Sequence, residues 1–510
     1  MRTSRSLGVL SLGLLALSIA AAAQTTAPQA QGPTAVTLPN GDGRDVLIRA
    51  CNRCHIITAV IGRPRTRDEW TAVVNNMRER GATMDASETT TIVDYLTASF
   101  GPGSQAPATG RGGRGVFILS GRVPDGAPVI GQPLETRPAV GAGQKPAFPG
   151  QTRANAVRTT TAVIATVVAR GLRSPWSLAF LPDGRMLVTE KPGAMRIITS
   201  AGAVGEPIAG VPQVAFGGDG GLLDVVLDPA FASNRQIYFT FIEPRQGGVG
   251  VSVARARLNG DSTALEGLTI IQRIEPTRPG FTHFGSRLLF DREGRLLVTT
   301  GDRFDMDLRP QVQQLDSQLG KVLRLNTDGT PAPGNPFAGR AGALASIWSY
   351  GHRNAQGLAL HPATGALWSI EHGQAGGDEV NIIRRGVNYG WPTIAYGAEY
   401  DLRPIGAGVT AASGMEQPVY YWDPAIGPTS LAFYIGALIP EWRNNLFVAS
   451  HNGQHVARLV IDGERVVGEE RLLLDQQQMM RWVGNGPDGA LWVLTDSEDG
   501  RLIRLAPPAH

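Results

Sequence analysis

One hairpin pattern recurs between residues 159 and 510, and it constrains the fold more than any other feature of the chain. Leu178–Thr189 reads as an apolar strand, a Pro182-Asp183-Gly184 turn and a second apolar strand. Leu288–Thr299 repeats this around Asp291–Gly294, Leu358–Trp368 around Pro362–Gly365, and Val483–Leu494 around Pro487-Asp488-Gly489. Val225–Phe241 and Leu438–Val448 are looser copies. These hairpins, roughly 45 to 80 residues apart, have the spacing of four-stranded blades with inserted loops. An all-β six-bladed β-propeller is therefore predicted for residues 159–510. A β-sandwich, the alternative, has no reason to repeat one hairpin signature so often.

The chain has only two cysteines in 510 residues, so no disulfide framework holds it, and a chain this long can bury a large core without one. Both fall in Cys51-Asn52-Arg53-Cys54-His55. C-x-x-C-H is the attachment pattern of a c-type haem: each thiol can add to a porphyrin vinyl group, and the adjacent His can ligate the iron. A Cys51–Cys54 disulfide is a competing reading in an oxidising compartment. A thioredoxin-like pair needs a βαβ setting, and a zinc site needs two further ligands nearby; neither is present in the sequence. The N-terminus agrees with haem. Arg2 and Arg5 precede an apolar run, Leu7–Ala20, and Ala21-Ala22-Ala23 offers an A-x-A cleavage site before Gln24. Residues 1–23 read as a secretory signal peptide, too short for a lasting membrane span. The mature chain is expected to be periplasmic or secreted. Loss of Arg2 and Arg5 takes the formal charge from +3 to +1, a balance that points to neither nucleic acid nor an anionic membrane.

Residues 40–101 read as a small all-α domain, which makes the chain multidomain. Asp45–Cys51 forms a helix leading into the haem motif. Asp68–Arg80 has helical spacing, with Trp70, Val73, Val74 and Met77 on one face, and Gly81 ends it. Asp85-Ala86-Ser87-Glu88 is a capping box for a last helix lined by Ile92, Val93, Tyr95, Leu96 and Phe100. This order resembles a compact class I cytochrome c domain. Met77 is the favoured distal iron ligand, since a thioether commonly partners His in electron-transfer haems. Met84 is the other candidate, although its place before the capping box suits a hydrophobic staple. Ordinary core packing would also account for either Met. Residues 102–158 form a Gly/Pro-rich connector with seven Arg/Lys against Asp125 and Glu135. It reads as a tether, with Val116–Leu119 and Pro146-Ala147-Phe148 as patches that could dock on a folded surface.

Function in a propeller lies in its loops, not in the fold. His283, just before a blade strand, is placed to act as a general base. Asp302 in Gly301-Asp302-Arg303 can orient it. Arg353 and Asn354, within Gly351–Gly357, supply a cation and an amide that could polarise a carbonyl oxygen. Glu371–Glu379 combines glycines with carboxylates, which suits a hard cation such as Ca²⁺. A structural loop His and a turn with solvated acids are the plain alternatives.

These loops, together with Gly171–Gly184, Gly220–Asp224, Leu319–Arg324, Asn388–Pro392 and Gly486–Gly489, resemble the soluble PQQ-dependent glucose/sorbosone dehydrogenase family. The resemblance implies that His283 takes the proton of a sugar hydroxyl as hydride leaves for the quinone, with Asp302 as its partner. It implies that Arg353 and Asn354 flank the quinone carbonyls, that Gln313 contacts the quinone, and that the backbone carbonyls of Gly373 and Gln374 hold Ca²⁺. Arg481 remains as a partner for the quinone's carboxylates. Three positions depart from the family pattern. Asn452 stands where a Lys is usual, Met479 where a first Arg is usual, and Asp219 where a Gln is usual.

The expected protein is a quinohaemoprotein. A sugar or related alcohol reduces PQQ, and haem c passes electrons to an external acceptor such as a cytochrome or quinone. The alternative is an electron-transfer cytochrome fused to a non-catalytic propeller that binds carbohydrate or protein. A Ca²⁺-dependent lactonase ranks last, because Arg353-Asn354 beside a His base suits hydride transfer better.

Overall fold

The structure, a computed structural model, describes residues 38–51, 65–79, 84–102, 128–400 and 402–508. Among these, 24 strands make six four-stranded antiparallel sheets. Five blades are continuous in sequence: 175–207, 222–273, 285–350, 355–422 and 428–472. The sixth combines Met480–Asn485, Leu491–Thr495 and Gly500–Ala506 with Ile164–Leu172. Ile164 pairs with Ala506 and Leu172 with Gly500. The earliest strand thus completes the last blade, closing the ring and covering a strand edge.

The repeated sequence pattern has a direct physical cause. The second strands Met186–Glu190, Leu296–Thr300, Leu367–Glu371, Leu446–Ser450 and Leu491–Thr495 are buried at every position. Covered on both faces by neighbouring blades, they each open on at least two consecutive apolar residues and end on Thr, Ser or Glu, without strict apolar–polar alternation. The turn before each of four of them places a glycine at positive φ: Gly184 at +84°, Gly294 at +72°, Gly365 at +74° and Gly489 at +78°. A side chain is strained there, so the turn keeps its glycine.

The axis is filled by one side chain. Arg287 reaches from the first strand of the third blade and pairs with Asp224 at 3.0 Å. It donates to the Gln356 carbonyl at 2.8 Å and the Thr429 carbonyl at 3.0 Å, and its guanidinium lies 4.2 Å from the Trp176 ring centroid. Five blades meet at this buried cation. Thr429 extends the connection to the sixth by donating to the Met480 carbonyl at 2.9 Å.

Three helices are described before the propeller: Arg44–Cys51, Arg67–Glu79 and Ala86–Phe100. The predicted capping box is present, with Glu88 N donating to Asp85 Oδ1 at 2.8 Å and Asp85 N to Glu88 Oε2 at 3.0 Å. Trp70, Val74, Ile92, Val93, Leu96 and Phe100 are buried. Of the expected haem residues, Cys51 is the last residue of the first helix and Met77 lies half-buried on the second. Cys54 and His55 lie outside the described residues, as do the signal peptide and the Val116–Leu119 patch. Met84 is buried just ahead of the capping box.

Of the expected connector, residues 102 and 128–158 are described, and the latter include the Pro146-Ala147-Phe148 patch. Residues 128–158 lie bonded along the fourth and fifth blades. Val157 N donates to the Glu469 carbonyl at 3.0 Å and Glu469 N to the Asn155 carbonyl at 2.9 Å. Glu135 pairs with Arg471 at 3.2 Å. The turn-rich composition that suggests a free linker here serves a path that follows the surface and takes its hydrogen bonds from the blades.

Candidate active site

Two adjacent loops build the candidate His283–Asp302 pair. His283 sits in left-handed backbone, φ +48°, immediately before the first strand of the third blade. Arg303 and Phe304, at +63° and +50°, share that strain after the next strand. Bulky residues are held there only by surroundings that over-determine them, and such strain collects at functional sites. His283 Nδ1 lies 2.7 Å from Asp302 Oδ1. Asp302 also accepts Phe304 N at 2.8 Å and Trp391 Nε1 at 3.0 Å, so its carboxylate is fixed from three sides. Burial alone would raise the Asp302 carboxyl, but the neighbouring His283 and Arg353 hold it below its ordinary value. Burial, and then the Arg353 charge, push the His283 imidazole below its ordinary value against the pull of Asp302. The result is a neutral ring that donates from Nδ1 to Asp302 and presents Nε2 as a base.

The next loop joins this pair through the backbone. Asp302 N donates to the Arg353 carbonyl at 2.9 Å, and Gly285 N donates to Asn354 Oδ1 at 3.0 Å. The Arg353 guanidinium reaches the His372 carbonyl at 3.1 Å, the Gly373 carbonyl and Gln374 Oε1. It also lies 5.2 Å from the Trp391 ring centroid. Asn354 Nδ2 and His372 Nδ1 are 3.5 Å apart. Burial, with His283 and Arg353 nearby, pushes His372 down to about 3, which keeps it neutral. A cavity beside Arg353 is lined by His372, Gly373, Gly377, Glu379, Trp391 and Tyr396. Hydrogen bonds thus link His283 to Asp302, Asp302 to the Arg353 backbone and the Arg353 guanidinium to the Gly373 carbonyl, with Asn354 beside them.

A model of the Glucose / Sorbosone dehydrogenase family matches residues 172–504. The chain belongs to the glucose/sorbosone dehydrogenase family. It is 40% identical over 340 residues to an aldose sugar dehydrogenase of Escherichia coli, covering 66% of this chain and 91% of that protein. A solved glucose dehydrogenase matches 68% of the chain and 100% of its own at 43% identity, with a TM-score of 0.65. The PQQ-bound aldose sugar dehydrogenase of Streptomyces coelicolor matches 68% of the chain and 99% of its own at 28% identity, with a TM-score of 0.56.

Gln313 is tied into a neighbouring loop. Its amide is engaged in bracing a loop: Nε2 donates to the Trp391 carbonyl at 2.6 Å and Asn388 Oδ1 at 3.1 Å, while Oε1 accepts Asn388 Nδ2 at 2.8 Å. Its side chain holds Trp391, which in turn holds Asp302. A Gln preceding a buried loop carries no signal in sequence that separates bracing from ligand contact.

The cation balance differs from the sequence expectation. Arg481 binds Asp496 through Nε at 2.9 Å and through Nη2. Lys191, from the first blade, lies 3.4 Å from the same carboxylate, and His451 Nε2 lies 3.5 Å away. Three basic groups from three blades therefore converge where Asn452 and Met479 remove two. Burial would raise the Asp496 carboxyl, yet Arg481 and Lys191 hold it well below its ordinary value. Lys191 follows a fully buried strand, and a lysine ending such a strand is the one available sequence signal. Asp219, the third departure, accepts His283 N at 3.1 Å and so holds the His283 backbone in place.

These residues fit the family's tricarboxylate quinone. Lys191, Arg481 and Arg353 supply cations, while Arg353 Nε and His372 Nε2 are buried polar atoms without a protein partner. Among the described residues no cluster of three or more His, Cys, Asp or Glu side chains is placed to hold a metal ion. A Ca²⁺ would therefore depend on backbone carbonyls. The His372 and Gly373 carbonyls already converge on one positive group, the Arg353 guanidinium, and are hard oxygen donors of the kind Ca²⁺ uses. The Gln374 side chain is engaged with Arg353 and Glu399, which leaves its expected role to its backbone carbonyl. Behind them Asp378 accepts Gly373 N at 2.7 Å, Ile426 N at 2.6 Å and Gly427 N at 2.7 Å. Burial outweighs these donors and pushes its carboxyl up to about 6.

Proposed function

We propose that this protein is an exported, PQQ-dependent dehydrogenase of an aldose sugar or related alcohol, which passes electrons to a covalently bound haem c. The observation that carries the reading is the buried His283–Asp302 pair facing the Arg353 loop. When bound, PQQ supplies the carbonyl centre that accepts a hydride. His283 Nε2 takes the substrate hydroxyl proton, and Asp302 stabilises the imidazolium that forms. Arg353 would supply positive charge to stabilise negative charge growing on the acceptor, in a site largely shielded from water. Lys191 and Arg481 would hold the quinone's carboxylates. The carbonyls of Gly373 and Gln374 would hold Ca²⁺.

Family membership supports the sugar dehydrogenase reading. The C-x-x-C-H motif and the signal sequence support haem and export, and no described helix is long and apolar enough to cross a membrane. The decisive experiment mixes full-length protein with PQQ, Ca²⁺ and a panel of aldoses while recording the haem spectrum. Haem reduction with at least one sugar is expected, and it should vanish in a Cys51→Ala/Cys54→Ala variant that lacks haem. Saturable PQQ binding without sugar oxidation would sink the enzyme reading. No PQQ binding at all would favour the non-catalytic propeller.

A further inference from the structure

Residues 128–158 lie outside the 172–504 segment that defines the family match, yet they reach the wall of the cavity beside Arg353. Two loops form that wall: 373–377, which carries the Gly373 carbonyl, and 394–398, which carries Tyr396. The loops touch backbone to backbone. Ala375 N donates to the Ala398 carbonyl at 3.0 Å and Ala398 N to the Ala375 carbonyl at 3.2 Å. A Cβ on Gly377 would meet the Tyr396 carbonyl oxygen at 2.0 Å, so glycine alone permits this approach.

The strap grips the 394–398 loop directly and reaches the 373–377 loop through Asp423. Gln144 makes a paired contact with the backbone of Gly397: Nε2 donates to its carbonyl at 2.9 Å, and Oε1 accepts its N–H at 2.8 Å. Gln151 Oε1 accepts the Tyr396 hydroxyl at 3.0 Å, and the Tyr396 ring stacks on Tyr421 at 3.8 Å between centroids. Val140 N and Gly141 N donate to the two oxygens of Asp423 at 2.9 and 3.0 Å. Asp423 in turn backs Gly376, where an added Cβ would lie 2.3 Å from its Oδ1. The Asp423 backbone carbonyl accepts Arg153 at 3.0 Å, tying a third strap residue to the same point.

We propose that Val140–Gln151 is a positioning element of the active site, with Gln144 as its key residue. It fixes the spacing of the 373–377 and 394–398 loops and so sets how tightly the pocket holds its cofactor. The strap acts through Gly397 and Asp423 and touches no reacting group. The link to cofactor affinity rests on the PQQ reading above; the link to loop order does not.

The test uses the full chain with Gln144→Met, which keeps side-chain length but removes the amide, and Gln144→Ala alongside. Hydrogen exchange of peptides covering 373–377 and 394–398 is expected to quicken about ten-fold, the scale of two lost hydrogen bonds. The PQQ dissociation constant in Ca²⁺, read from quinone absorbance, is expected to rise by about the same factor. The exposed neighbour Lys145→Ala should leave both readouts at wild-type values. Unchanged exchange in these loops overturns the proposal. Faster exchange with unchanged PQQ affinity overturns its link to the site. If wild-type protein binds no PQQ, the functional reading fails and the exchange arm alone decides whether the strap orders the wall.

Discussion

At the scale of single residues, chemistry is set by what surrounds His283. Replacing it with Gln keeps a polar side chain but removes the base, and kcat should fall by about 10²–10⁴-fold with little change in PQQ binding. An unchanged kcat would exclude it as the base. Because burial and Arg353 depress its titration, the acid limb of kcat/KM should lie below the ordinary imidazole value of about 6.5. The sign for stability is the same. The unfolded chain binds this proton at a higher pH than the fold does, so the contribution is fully present above about 6.5 and is lost as pH falls through the folded value. Asp302→Asn removes the charge that opposes this shift, so the acid limb should move lower still while kcat drops by about 10²-fold or more. Lys191→Met tests the carboxylate side of the pocket. PQQ affinity, read by quinone absorbance, should weaken by about ten-fold, and unchanged affinity would remove Lys191 from the cofactor's contacts. His283, Asp302, Arg353 and Asn354 were legible because polar residues packed into loops of an apolar repeat have few structural explanations. Lys191 was not, since its partner Asp496 lies 305 residues away.

At the scale of elements, local rules performed well wherever the interaction was local. The capping box spans four residues, so Asp85 and Glu88 could be read directly, and the structure shows both bonds. Asp85→Ala should destabilise the Ala86–Phe100 helix by about 0.5–2 kcal/mol, seen as earlier loss of helical signal on heating. A helix melting at the wild-type temperature would argue that its buried face alone holds it. The hairpins were equally legible, because apolar run, turn glycine and apolar run all fall within about a dozen residues. The strap between 128 and 158 was only half legible. Its partners Asp423, Gly397, Glu469 and Arg471 lie hundreds of residues downstream, and nothing in a Gly/Pro-rich stretch announces them.

At the scale of the whole molecule, the ring is held by contacts that no single blade contains. Arg287 is the clearest case. It pairs with Asp224 and donates to carbonyls of two further blades. Arg287→Met should cost about 3–5 kcal/mol, because it leaves a buried carboxylate unpaired. Thermal unfolding of the full chain measures this, and adding Asp224→Leu should recover much of the loss. A double variant no more stable than the single would mean that Arg287 holds the axis through its carbonyl contacts instead of its charge pair. The Ile164–Leu172 strand belongs to the same scale, since it completes a blade whose other strands begin at Met480.

By itself, the sequence determined the blade number, the turn geometry, the capped helix and the family, and it singled out the His283–Asp302 and Arg353–Asn354 pairs. Each of these is written in residues close together or in a pattern repeated along the chain. Only the tertiary structure decided that Gln313 braces a loop, that Lys191 joins Arg481 on Asp496, that Arg287 closes the axis and that the connector grips the pocket wall. Those outcomes depend on which distant loops a closed ring brings together, and closure is a property of all six blades at once.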